Sequence, residues 1–291
     1  MKLAPGGPRV VALGGGHGLA ATLRAACRYA GDITAIVSVA DDGGSSGRLR
    51  DALGLPAPGD LRRCLMALSD EASVWARALD HRFSAGELDG HSLGNLVIAG
   101  LTATTGDFGA ALDEMGRLLG AVGRVLPATV GPVVLKADAA GGEVEGQVAI
   151  EQVGRIAGVS LIPPDAPAPP AAIEAILAAD QIVLGPGSLF TSVLAAALVP
   201  ELRAALAATR AHRVYVCNLR AHEPETAGYD VAGHVDSLMA HGIDPDVVVY
   251  DPAAIPVGEL DLPAVAAAVT SDDGTGHDPA RLAEVLKNLV G

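Results

Sequence analysis

A three-layer α/β fold built on a mainly parallel sheet is predicted by three features of the 291-residue sequence. Short apolar, β-branched runs alternate with stretches of helical period; two of these runs pass directly into glycine turns; and one extended pair around a double glycine interrupts the alternation. Strands that alternate with helices need crossovers of a single hand, which sets the strands parallel.

The first apolar run, over 9–13, meets Gly14-Gly15-Gly16-His17-Gly18 and then a helix over 19–29, with Leu19, Leu23 and Ala26 on one face. ITAIVSVA, over 33–40, is apolar throughout, as a strand covered on both faces must be, and it stops at Asp41. PGDLRRCLMALSD, over 58–70, opens with Asp60 as the expected N-cap of a helix whose Leu61, Cys64, Leu65 and Leu68 share a face, with Arg62 and Arg63 directed off it. Around 132–150 two extended segments flank a glycine pair, the pattern of an inserted β-hairpin. The stretch 162–170 carries too many prolines for a helix or a central strand and reads as a stiff connector. Beyond it come a helix over 171–179, a strand over 181–184, a strand over 213–219, a helix over 231–241 and a strand over 246–250. No stronger boundary interrupts the chain, so 1–291 is read as a single α/β domain.

The charge balance narrows the partners. Asp and Glu number 34 against 20 Lys and Arg, a formal charge of −14 that repels nucleic acid and anionic lipid. No apolar run approaches the roughly 18 residues of a membrane span, and the start of the chain lacks a secretory pattern, so a cytoplasmic location is expected. Cys27, Cys64 and Cys217 stand far apart among apolar residues and read as reduced core thiols. The apolar helices of SVLAAALVPELRAALAA exceed what a solvent-facing surface needs, which points to a homo-oligomer.

Three motifs carry chemistry. Gly14 to Gly18 follows a strand and opens a helix, a geometry whose backbone N–H groups favour a phosphate. The spacing is neither the dinucleotide fingerprint, since position 19 is leucine, nor a Walker loop, since GKS and GKT are absent. Gly185-Pro186-Gly187-Ser188 repeats the geometry after strand QIVL, with Thr191 and Ser192 in the first turns of an apolar helix; Ser188 serves equally as an N-cap. GHSLGN, over 90–95, matches the hydrolase G-x-S-x-G, but SAGELD before it is not a strand, so Ser92 reads as a helix start and His91 and Asn95 as ligand contacts. Arg48, Arg50, Arg62 and Arg63 form the densest basic neighbourhood and divide evenly between phosphate binding and surface pairing.

Together VVALGGGHGLAATLR, ITAIVSVADDGGSSGRLR, PGDLRRCL, GHSLGNLVIAGL, GRVLPAT, IVLGPGSLFTSVL, RVYVCNLR and HDPARLAEVL resemble, over nearly the whole chain, the YvcK proteins, known as gluconeogenesis factors. These share a superfamily with CofD, the 2-phospho-L-lactate transferase. The resemblance implies a Rossmann-like fold, a UDP-sugar ligand such as UDP-N-acetylglucosamine or a related dinucleotide, no required cofactor, and a role in cell shape and carbon metabolism. It places the diphosphate on the first glycine turn and on Gly185, Gly187, Ser188 and Thr191, with Asn95 and Asp42 lining the same crevice. From the strand end, Asp41 or Asp42 is expected to meet ribose or a metal, and the backbone of Ser45 and Ser46 with Arg48 to meet phosphate. The competing expectation is a CofD-like transferase, in which Asp42 holds Mg²⁺. An NAD-dependent oxidoreductase has Asp41 in place for a ribose but lacks the fingerprint. Two departures from the YvcK pattern bear on binding: His17 stands where that pattern has threonine, and Gly276 where it has arginine before His277-Asp278.

Overall fold

The computed structural model describes residues 2–222 and 224–290. It opens with β1 (Arg9–Gly14), α1 (Gly16–Ala26), β2 (Asp32–Val37), α2 (Gly44–Leu53), α3 (Gly59–Ala67), α4 (Val74–Asp80), α5 (Leu93–Thr105), α6 (Phe108–Leu119) and β3 (Arg124–Pro127). A second group follows: β4 (Val134–Ala139), β5 (Gly142–Glu145), the single turn α7 (Gln147–Ile150) and β6 (Ile156–Ile162). The chain then returns through α8 (Pro170–Ala178), β7 (Gln181–Leu184), a π-helix (Leu189–Leu194), α9 (Ala195–Ala197), α10 (Pro200–Ala208) and β8 (His212–Val216). It ends with α11 (Val231–Ala240), β9 (Val247–Tyr250), β10 (Ala264–Ala266) and α12 (Pro279–Lys287).

Seven strands form one sheet in the order β10-β9-β8-β7-β1-β2-β3, and every neighbouring pair is parallel. From β1 the chain steps one way through α1 to β2, and from β7 it steps the other way through α10 to β8. Right-handed crossovers in opposite directions put their helices on opposite faces, so the three layers follow from handedness alone. The strand order reverses between β1 and β7, which is where a sheet of this kind opens a crevice at its carboxyl edge. The central strands are apolar because they are covered on both faces: Ala12, Leu13, Ile36, Val183 and Val214 are fully buried.

Several boundaries differ from the sequence reading for local reasons. β2 stops at Val37 after a last bond from the Ser38 N–H to the Gly14 carbonyl at 2.9 Å, and the Ser38 Oγ then accepts from the Ala40 N–H at 3.3 Å. β8 stops at Val216 rather than 219, since Asn218 is turned toward the neighbouring loop. The predicted hairpin exists as β4 and β5, but the residues after Gly146 coil into α7 instead of extending to 150. β6, unanticipated except for the first residue of the expected connector, pairs antiparallel with β4 to make a small sheet β5-β4-β6. Its alternation of buried Val159 and Leu161 with exposed neighbours is the period-2 signal that went unread. Asp60 is not the cap of α3; Pro58 holds that position, and the carboxylate points elsewhere.

The run expected to supply an outward apolar face is buried within the chain: Phe190, Leu194, Ala196, Val199 and Leu202 are at most 1% exposed. The excess of apolar residues there is accounted for by the core, which removes the ground on which a homo-oligomer was expected. Among the described residues no single helix is long and apolar enough to cross a membrane. All three cysteines are buried free thiols.

One buried polar relay ties the two halves of the sheet to the helices over them. The Tyr29 hydroxyl donates to Gln181 Oε1 at 2.6 Å, and Gln181 Nε2 donates to the Leu286 carbonyl at 2.8 Å. Gln181 is fully buried, so loss of either partner strands a polar atom away from water. Tyr29→Phe is expected to lower the unfolding free energy by about 1–3 kcal/mol with an unchanged denaturant slope, measured by urea titration.

Candidate functional site

The turns after β1 and β7 meet at the carboxyl edge of two adjacent strands. Gly16 has φ +67° and Gly187 φ +147°, backbone regions that side-chain-bearing residues rarely enter. A Cβ on Gly18 would collide with the carbonyl of Pro186, so the two turns can touch only because position 18 is glycine. A cavity of about 900 Å³ opens over this contact. Of the residues expected at the site, Gly15, Gly16, His17, Gly18, Asp41, Gly187 and Ser188 line it. Gly14 and Gly185 lie beneath, at the strand ends, where Gly185 packs against Leu19 and Thr22 of α1.

The adjacent carboxylates Asp41 and Asp42 part company. Asp41 turns to the cavity and accepts from the Gly43 N–H at 2.8 Å, while burial pushes its carboxyl above the usual range. Asp42, on which the resemblance placed a crevice role, turns to the small sheet, where its Oδ1 accepts from the Val148 N–H at 3.0 Å. Ser45, Asn95 and His91 form a knot beside the cavity rather than in it: Asn95 Nδ2 donates to Ser45 Oγ at 3.2 Å, and His91 Nδ1 stands 3.0 Å from the same hydroxyl. Asn95 Oδ1 is buried with no partner among the described residues. Arg48 donates to the Asp89 carbonyl at 2.7 Å, and Ser46 is buried beside Asp41. Ser92 caps α5, accepting from the Asn95 N–H at 3.3 Å, as the absence of a preceding strand required.

The basic neighbourhood also divides. Arg62 is buried and pairs with Asp80 at 2.6 Å, contrary to the expectation that it points outward. Arg63 lines the cavity and pairs with Asp60, whose other oxygen accepts from the Gly16 N–H at 2.6 Å. The Arg63 guanidinium, with burial, holds the His17 imidazole below its usual pKa, so at neutral pH the ring is uncharged.

The opposite wall was not foreseen. Gln147, Val148, Glu151 and Gln152 come from the turn after the hairpin, and Asn218, Arg220, His222 and Glu225 from the stretch after β8. Asn218 locks onto the second turn, accepting from the Gly187 N–H at 2.8 Å and donating to its carbonyl at 2.6 Å. The Ser188 hydroxyl lies 2.6 Å from both oxygens of Glu225 and 2.5 Å from the Thr191 hydroxyl, which donates in turn to Glu151 at 3.2 Å. Thr191 itself is buried behind the cavity. A usable signal lay in RVYVCNLR: a parallel strand ending in a polar residue delivers its next loop to the same edge as every other strand.

The model for the family described as 2-phospho-L-lactate transferase CofD matches residues 10–283. A Mycobacterium tuberculosis protein is 46% identical over 96% of this chain and 90% of its own length. A Bacillus subtilis protein named gluconeogenesis factor is 46% identical over 80% of this chain and 75% of its own. The crystal structure of a UPF0052 family member from Bacillus halodurans superposes with a TM-score of 0.91 at 37% identity, covering 98% of this chain and 99% of that one. The chain belongs to the CofD family, on its gluconeogenesis factor (YvcK) side. Two of the stretches that resemble the YvcK proteins, ADDGGSSGRLR and GHSLGN, meet in the knot around Ser45 and Asn95, with Asp41 on the cavity wall.

The second departure from the YvcK pattern also falls at the cavity, where Gly274 to His277 form one rim. His277 Nε2 stands 3.1 Å from the Cys217 carbonyl, and burial pulls the ring down to about 4. The unfolded chain takes up this proton near pH 6.5, the folded chain only near pH 4, so the stability contribution is complete above about pH 6.5 and is lost as pH falls toward 4. His277→Gln is expected to flatten that acid limb by up to about 3 kcal/mol, read from urea midpoints between pH 7 and pH 4. Gly18→Ala is expected to cost about 1–3 kcal/mol by prying the turns apart, whereas Gly100→Ala, in open space on α5, is expected to be neutral or stabilising; chemical denaturation of both separates crowding from helix propensity.

Proposed function

We propose that the cavity over the two glycine turns binds a nucleotide sugar of the UDP class, and that the chain acts as a binding protein in the control of gluconeogenic growth and cell shape. The observation that carries this reading is the contact between the turns after β1 and β7, at the reversal of strand order, beneath a cavity of about 900 Å³. That size suits a nucleotide-sized ligand. Arg63 and Arg220 supply cations for a diphosphate, and Gln147 and Gln152 supply amide groups for ligand hydroxyls. The metabolic part of the reading is supported by the names of relatives, the Bacillus subtilis gluconeogenesis factor among them.

A second reading, phosphoester transfer in the manner of CofD, draws on the family description and on one observation. Asp41 faces the cavity, and burial first, then the proximity of Asp60, works against its negative charge. A carboxylate so placed fits a Mg²⁺ ion that takes its remaining ligands from water and phosphate, and the chemistry such an ion supplies is neutralisation of phosphate charge. Asp41, not Asp42, would hold it. Turnover of guanylyl-phospholactate with a deazaflavin acceptor, abolished in Asp41→Asn, would favour this reading over regulation.

Calorimetry is expected to give heat with UDP-N-acetylglucosamine or UDP-glucose; silence with both, and with NAD, would sink the binding reading. Arg63→Gln is expected to weaken UDP-sugar affinity by about tenfold or more, since it removes a phosphate-matched cation and leaves the Asp60 charge unopposed.

A further inference from the structure

Each glycine turn already holds one of the protein's own carboxylates where a ligand anion would sit. At the first turn Asp60 takes the Gly16 N–H, and at the second Glu225 takes the Ser188 hydroxyl and, at 2.9 Å, the Phe190 N–H. The two are not equivalent. Asp60 belongs to α3 and is fixed by Arg63. Glu225 is carried by the stretch between β8 and α11, which contains no helix or strand among its described residues. Only 3% of Glu225 is exposed, yet it borders the cavity, as do Arg220 and His222 of the same stretch. Burial pushes its carboxyl above the usual range while the Ser188 and Phe190 donors act the other way, and these donors are the very groups a phosphate oxygen would use.

We infer that Glu225 is a tethered anion that keeps phosphate out of the second turn, and that a phosphorylated ligand gains Ser188 Oγ and the Phe190 N–H only when this carboxylate is drawn out or neutralised. The inference rests on the nucleotide-sugar reading of the cavity. It assigns a regulatory role to the segment after β8: whatever moves that wall outward opens the seat.

The test compares UDP with uridine, which lacks phosphate, on native protein, Glu225→Gln and Glu225→Asp, with thermal melting to confirm that each variant is folded. Glu225→Gln keeps the shape and removes the charge, so UDP affinity is expected to rise about tenfold, equivalent to about 1.4 kcal/mol, while uridine affinity stays level. Glu225→Asp keeps the charge but draws it back by one methylene, and a smaller gain for UDP alone is expected; this variant carries the test should Glu225→Gln fail to fold. UDP bound no more tightly by the variants than by native protein, or a gain shared equally by uridine, overturns the role of Glu225 and leaves the cavity reading standing. UDP bound by none of the three proteins overturns the cavity reading, and the inference with it.

Discussion

The close approach of Gly18 to the Pro186 carbonyl is the constraint on which the rest of the site depends. β1 and β7 are neighbours in the sheet but distant in sequence, and their crossovers leave in opposite directions. Their turns can share one edge only because position 18 carries no side chain at the contact. Once they touch, the other walls have fixed places: the loop after β2 brings Asp41, the start of α3 brings Asp60 and Arg63, and the stretch after β8 is tied in through Asn218 and Gly187. A strand order that reverses at one point therefore creates both the opening and the means of closing it.

The charged side chains at the cavity are more acidic than two phosphate-type turns suggest. Asp41, Asp60, Glu151 and Glu225 face it alongside Arg63 and Arg220, in a chain whose net charge is −14. Buried carboxylates need donors, and backbone N–H groups left over at glycine turns are the donors at hand. The same groups that suit a phosphate thus also suit an internal acid, and Asp60 and Glu225 accept from donors of the two turns. On the proposed nucleotide-sugar reading, binding at these turns would exchange one anion for another rather than fill a bare positive pocket.

Much of the fold was legible because it is written in local periodicity. The strand over Gln181–Leu184 is bounded as its apolar run predicts, and a helix follows each glycine turn, although α1 spans Gly16–Ala26 rather than 19–29 because the glycine turn itself enters the helix. Ser92 could be read as a helix start because a nucleophile elbow needs a strand before it and SAGELD supplies none. What escaped was non-local. Asp60 has the residue type and position of an N-cap, yet its carboxylate reaches back to Gly16, a partner no window around residue 60 contains. Glu225 and Asn218 sit in a stretch without periodic signal, and only the neighbourhood of β8 and β7 brings them to the cavity.

The doublet Asp41-Asp42 and the replacement of threonine by His17 show the same limit from the side of chemistry. β2 ends at Val37, so strand alternation does not set the faces of Asp41 and Asp42, and their contacts decide which one turns to the crevice. The hairpin decided which: the Val148 N–H needs an acceptor and Asp42 provides it, leaving Asp41 to the cavity. His17 stands where the YvcK pattern has threonine, and a protonated ring there would carry a positive charge. Arg63 stands close enough to oppose that charge, so the imidazole stays neutral and keeps one ring N–H to donate, as the threonine hydroxyl would. The substitution changes the residue while preserving a neutral donor, and the cation at this turn is Arg63.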